Sequence, residues 1–297
     1  MKIAFVWFGI TGRYGIWKDG LWRAMKRIEE IHEVKYFEPT DDIESFKPDV
    51  ILFWEALCTS QSKDKDMWDR VVNLPFKKAL LFAGGPIKAE WAKPFDHIFV
   101  ESKINADEFN QLGISNSTAF GINEDVFYPE RLPKLYDGIH HGTGASWKRQ
   151  WLLGEAIGSR GLVVGRDQAS DSFPFSRCRE LGVTVLDEKT PEELRTLINQ
   201  SHTCLQTSEF WGGGQRCTLE ALACDVPVIC MTDSPKNREY VEESGCGLVV
   251  EPNAQNISDA VHIVKSTDYG TRGSDYVKSK WTSKHYADNL LKWIDQQ

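Results

Sequence analysis

Short apolar runs alternate with helical stretches along the whole chain, and the series occurs twice. The first places strands at Lys2–Phe8, Val34–Phe37, Val50–Trp54, Ala79–Phe82 and His97–Val100. The second places them at Gly138–His141, Gly161–Val164, Val183–Leu186, Thr203–Gln206, Val226–Cys230 and Gly247–Val250. Between the first two strands, Trp17, Leu21, Ala24, Met25 and Ile28 recur at helical spacing within Tyr14–Ile31. Further helices are expected at Lys148–Gly158, Pro191–Asn199, Arg216–Ala223 and Asn237–Ser244, with Thr190 capping the helix that opens on Pro191. Near-continuous apolar strands that alternate with helices form parallel sheets buried on both faces. Two such series predict an α/β chain of two Rossmann-like domains. The break is expected around Asp125–Asp137, where two prolines and mixed charge interrupt the pattern. Ligands of such sheets bind at the carboxyl ends of the strands, so a cleft between two domains is the expected site.

A length of 297 residues admits one or two domains. Hydrophobic residues at 41% and charged residues at 26% exclude a disordered or fibrous chain. A net charge of -8 argues against general nucleic-acid binding, which needs clustered Lys and Arg. The opening MKIAFVWFGITGRYG reads as a strand and a glycine turn rather than a secretory signal, and no apolar run is long enough for a transmembrane segment. Seven cysteines without a CxxC pair fit reduced thiols, and a cytoplasmic location is expected. His140 and His141 are adjacent on an expected strand, so their rings would point to opposite faces, a poor geometry for one metal ion. Most of the 11 tryptophans are expected in the core, with Trp211 a candidate site wall.

The segment EFWGGGQRCTLEALACDVPVI, residues 209–229, carries the densest chemistry. Three glycines between a strand and a helix allow close backbone approach, and free N–H groups at a helix start favour an anion. Arg216 adds a charged fork for phosphate oxygens, and Glu220, one turn on, can accept two hydrogen bonds from a ribose diol. A glycine loop that needs positive φ, with Glu220 solvated, is the plainer reading of the same residues.

This run resembles the signature of the retaining group 1 glycosyltransferases, which include glycogen synthase-like and mannosyltransferase-like enzymes of the GT-B fold. LEALACDVPVI is similar to the end of the family's Glu-x7-Glu segment. The resemblance continues through HIFVESKINADEFNQLGI, TAFGINEDVFYPE, GLVVGRD, SGCGLVVEP and the terminal KWTSKHYADNLLKWI. It implies two facing Rossmann-like domains: residues 1–127 on the acceptor side, 128–280 holding a nucleotide-sugar, and a terminal helix, 281–297, crossing back to the first. It also implies that Glu220 binds the donor ribose, and that Gly142, Thr143 and Lys148 of HGTGASWK hold the donor diphosphate with Gly213, Gly214, Arg216 and Thr218.

Two departures stand out. The position eight before Glu220 is Gly212 rather than Glu; the nearest acid is Glu209, three residues earlier, and is the candidate catalytic group. Thr143 occupies the place of the family's phosphate-binding Arg, which leaves Lys148 and Arg216 to carry the charge. The loop FGITGRYG, with Gly12 and Arg13, is expected to face the cleft. The implied activity is transfer of a hexose from a nucleotide-sugar, UDP-linked first and GDP-linked second, to an acceptor hydroxyl with retention. The acceptor, a saccharide, lipid or small molecule, is not read. No cofactor and no metal are expected, because protein groups can neutralise the leaving diphosphate. A nucleotide-sugar epimerase and a non-catalytic nucleotide-sugar-binding protein are the alternatives.

Overall fold

A computed structural model describes residues 1–7, 18–54, 65–82, 92–167, 171–209 and 215–297. The chain divides into two compact units: Met1–Gly121 with Ser283–Gln297, and Ile122–Thr282. Each contains one six-stranded parallel sheet.

In the first unit the strands are β1 (Lys2–Val6), β2 (Glu33–Phe37), β3 (Val50–Trp54), β4 (Lys77–Phe82), β5 (His97–Val100) and β6 (Asn116–Thr118), in the order β2-β1-β3-β4-β5-β6. Its helices are α1 (Gly20–Glu29), α2 (Ile43–Phe46), α3 (Lys65–Val72), α4 (Lys103–Gln111) and, from the far end of the chain, α12 (Ser283–Ile294). Val50, Ile51, Leu52 and Phe53 of β3 are all buried, as a strand covered on both faces requires. One face packs into a cluster of Ala4, Val6, Ile51, Phe53, Leu80, Phe82, Ile98 and Phe109. The expected first helix forms, but Asp19 starts it: its carboxylate accepts from Trp22 N at 2.9 Å. Leu21, Ala24, Met25 and Ile28 form its buried face. The terminal α12 lies against α1, buries Tyr286, Ala287, Leu290 and Ile294, and receives a hydrogen bond from Arg27 Nε at Ser283 Oγ, 3.3 Å.

The second unit holds β7 (Gly138–His141), β8 (Gly161–Val164), β9 (Thr184–Leu186), β10 (Cys204–Gln206), β11 (Val228–Met231) and β12 (Gly247–Val250), in the order β12-β11-β10-β7-β8-β9. Its helices are α5 (Trp151–Ile157), α6 (Phe173–Glu180), α7 (Pro191–Asn199), α8 (Gln215–Ala223), α9 (Pro235–Ser244), α10 (Ala254–Ser266) and α11 (Arg272–Lys280). Leu153, Val163, Phe175, Leu205, Ile229, Ile257 and Val261 share its core. Thr190 caps α7 reciprocally with Glu193, as its sequence predicts.

One expected helix is corrected. Lys148–Gly158 is not continuous. A 3₁₀ turn at Ser146–Lys148 ends on Arg149, whose φ of 49° is left-handed, and α5 begins only at Trp151. The guanidinium of Arg149 holds this break open by donating to the Thr207 carbonyl at 2.8 Å and to both oxygens of Asp233 at 2.7 and 2.8 Å.

Candidate functional site

In the second sheet, β7 is the first strand in sequence and lies between β10 and β8. From β7 the chain proceeds to β8 and β9 on one side, and from β10 to β11 and β12 on the other, so the strand order reverses between β7 and β10; sheets of this kind form their ligand crevice beyond the carboxyl ends of the strands at such a point. The segments that enter it are 141–148 after β7, 206–209 after β10, and the first turns of α8. Six of the predicted donor residues, namely Gly142, Thr143, Lys148, Arg216, Thr218 and Glu220, belong to these segments.

Gly142 has a φ of 124°, which an L side chain rarely adopts. A Cβ there would lie 3.1 Å from Lys148 Nζ and 3.6 Å from Cys217 Sγ. The missing side chain is what lets the lysine tip reach the strand end. Lys148 is only 9% exposed, and burial pushes its pKa below the ordinary lysine value. Its backbone carbonyl accepts from Thr207 Oγ1 at 2.6 Å, and its Nζ lies over the Trp147 ring, 5.1 Å from the centroid. Among the described residues this ammonium has no carboxylate partner. A desolvated cation without a carboxylate beside it is a site for an anion.

Glu220 is buried on α8. Its Oε2 lies 2.9 Å from His141 Nε2, and its Oε1 lies 3.9 Å from Arg216 Nε. The plainer reading of a solvated Glu220 is therefore corrected: the residue sits on the inward side of α8. Cys217, one turn before it, donates to the His141 carbonyl at 3.2 Å. His141 Nδ1 lies 3.9 Å from Cys204 Sγ. Burial opposes a charge on His141, but Cys217, Cys204 and Glu220 together outweigh it and hold the ring well above its usual pKa. Burial alone would raise Cys217, yet His141 and Lys148 bring its thiol below the usual value. His140 turns to the other face, as alternation requires, and burial with the Lys148 charge keeps it far below its usual pKa.

The ligand atoms of His141, Cys217 and Glu220 lie within 4.8 Å of one another, close enough for a metal ion. An ion there would have to break the His141–Glu220 hydrogen bond and stand beside the Lys148 ammonium. The donor set fits a closed hydrogen-bonded cluster better than a metal centre.

The other predicted residues are distributed as follows. Thr143 contributes its carbonyl, which accepts from Gln150 Nε2 at 3.0 Å. Thr218 is buried and spends its hydroxyl on Asn237 Oδ1 at 2.8 Å, tying α8 to α9. Glu209 is exposed three residues past β10, its N–H donating to the Trp147 carbonyl at 3.0 Å. Arg216 is exposed on the first turn of α8. Gly12, Arg13, Gly213, Gly214 and Trp211 lie outside the described residues. Sequence reasoning missed His141 as a partner of Glu220, and it missed Gln206 and Ser208. The Gln206 Oε1 and Ser208 Oγ atoms are buried beside the crevice without a hydrogen-bond partner among the described residues. The available signal was position: each stands at or just past a strand end.

The fold has known counterparts. A sucrose-phosphate synthase from Thermosynechococcus elongatus superposes with a TM-score of 0.75 at 15% identity, over 100% of this chain and 98% of that one. A glycosyltransferase from Rickettsia africae gives 0.75 at 15% identity, again over 100% and 98%. The Anabaena protein HepE, solved in complex with UDP-glucose, gives 0.75 at 12% identity over 100% of both chains. The chain has the GT-B fold. Within that fold, residues 163–270 match the family of glycosyl transferases group 1, so the recognisable part of the sequence runs from β8 through α10 and includes α8. No curated protein sequence matches the chain significantly. No helix among the described residues is long and apolar enough to cross a membrane.

Proposed function

We propose that this GT-B chain is a glycosyltransferase that moves a hexose from a nucleotide-sugar, UDP-linked in the first instance, to an acceptor hydroxyl with retention. The observation that carries the reading is Lys148: a buried ammonium with no carboxylate partner among the described residues, beside a side-chain-free Gly142, at the switch point of the sheet. A diphosphate supplies the missing charge. HepE, of the same fold, is solved with UDP and with UDP-glucose, which supports the choice of donor.

On this reading each residue has a defined task. Lys148 and Arg216 neutralise the diphosphate as it leaves, with no requirement for a metal ion. Glu220 accepts from the ribose hydroxyls. Glu209 is the acid available to steady the positive charge that grows at the sugar carbon when the bond to phosphate breaks. Isothermal titration of the full chain with UDP, GDP and UDP-glucose tests the donor. Hydrolysis or transfer of radiolabelled UDP-glucose then separates an enzyme from a binding protein. Absence of binding by all three ligands removes the proposal.

A further inference from the structure

We infer that His141 is a positioning residue for Glu220: its ring anchors one carboxylate oxygen so that the other is presented to the ribose of the bound nucleotide. The inference rests on the nucleotide reading above and adds to it a residue that no sequence motif marks.

A glutamate on the surface of a helix samples many rotamers, and ordering it costs conformational entropy at the moment of binding. Glu220 is not free in this way. Its Oε2 is fixed 2.9 Å from His141 Nε2, and both side chains are buried. The histidine is itself fixed. It lies on the last residue of β7, its carbonyl accepts from the Cys217 thiol at 3.2 Å, and its Nδ1 faces Cys204 Sγ. A buried ring on an anchored backbone, with Nδ1 against Cys204 Sγ, presents its Nε2–H in one direction, which settles which carboxylate oxygen is taken. Oε1 keeps its lone pairs, because the nearest cation, Arg216 Nε, stands at 3.9 Å, beyond hydrogen-bond range. The pair therefore offers one preoriented acceptor at the end of the crevice where Lys148 awaits the phosphates. The arrangement recognises a sugar hydroxyl at low ordering cost.

Two ligands separate this role from a merely structural pair. UDP and 2′,3′-dideoxy-UDP share base and diphosphate, so the ratio of their dissociation constants isolates the ribose contact. Wild-type protein should prefer UDP by tenfold or more, the scale of one hydrogen bond to a charged group. Glu220→Gln and His141→Phe should each reduce the preference to about threefold or less while still binding both ligands. His141→Gln should restore it, because the amide Nε2 takes the place of the ring Nε2. His141→Asn, whose amide is too short to reach, replaces the Phe variant if that one does not fold. A His141→Phe protein that keeps the wild-type preference overturns the inference, as does a His141→Gln protein that behaves like His141→Phe. If wild type binds UDP without preference, the nucleotide reading stands and the inference falls. If wild type binds neither UDP nor GDP, both fall.

Discussion

A lysine ammonium removed from water and left without a carboxylate is expensive, and an arriving anion recovers the cost. That reasoning makes Lys148→Ala a selective lesion. It should lower affinity for UDP by about 2–3 kcal/mol and leave affinity for uridine within about 0.5 kcal/mol, because only the diphosphate meets the charge. Equal losses for both ligands, measured by titration, would place Lys148 in the folding of the crevice instead. A second residue with a measurable signature is His97 on β5. Both ring nitrogens are engaged by hydroxyls, Ser115 Oγ at 2.9 Å and Ser117 Oγ at 2.8 Å, and the ring stacks on Trp293 at 5.6 Å. Burial lowers its pKa from 6.5 to about 4. The unfolded chain therefore takes up a proton below pH 6.5 that the folded chain refuses until about pH 4. Stability falls across that window, by no more than about 3 kcal/mol, and this contribution is flat above and below it. Urea unfolding at pH 7 and pH 5 should show the loss in wild type and a smaller one in His97→Gln; identical slopes would exclude His97 as the source. Glu220 was legible in the sequence because it stands one turn past a glycine run, and Lys148 because HGTGASWK resembles a phosphate-binding segment. His141 was not, because its partner is 79 positions away and only the parallel pairing of β7 beside β10 brings α8 over it.

Elements were legible where a two- or 3.6-residue period ran uninterrupted, as in β3, α1 and α7. They were obscured where a tertiary contact overrides local preference. The break at Arg149 is the clearest case: the sequence from Lys148 onward has helical character, but a bidentate bond to Asp233 and a bond to the Thr207 carbonyl hold the backbone left-handed. α11 was obscured for a related reason, since its buried face is Gly273, Ser274 and Val277, with Ser274 bonded to Asp225, rather than an apolar stripe. Gly273 opens against α8, and a Cβ there would meet the Leu222 carbonyl oxygen at 2.5 Å, backbone that cannot swing aside. Gly273→Ala should therefore push α11 away from the helix that carries Arg216 and Glu220. We expect a stability loss of about 1–3 kcal/mol, the range for overpacking, together with weaker UDP binding. Gly270→Ala is a control for glycine replacement itself, because it is strained in backbone but open in space. Gly273→Ala with wild-type stability in urea would show that the α8–α11 contact is plastic.

At the scale of the whole molecule, the chain leaves its first unit at Gly121 and returns to it at Ser283. The alternating pattern made the two parallel sheets legible, and the resemblance of the terminal segment to a crossing helix supplied α12; composition alone distinguishes neither sheet from the other. The return has a physical consequence. Leu290 is fully buried, and α12 covers α1 with Tyr286, Ala287 and Ile294, while Trp293 lies against His97 and Phe99. The first sheet is thus covered on one side by a segment that follows the second unit in the chain, so its unit is completed only after the second unit has been synthesised. Leu290→Ala removes methyl groups from that seam and should cost about 2–5 kcal/mol, as buried Leu→Ala replacements do. Because the loss falls on one unit, it should not be shared evenly. Hydrogen exchange should report faster opening of β1 through β5, α1 and α4, while amides of β7, β10, β11 and α8 keep wild-type protection. UDP affinity should remain near wild type, since Lys148, His141 and Glu220 all lie in the other unit. Equal loss of protection in both sheets would mean that the chain unfolds as one cooperative body and that α12 stabilises the whole rather than the unit it joins.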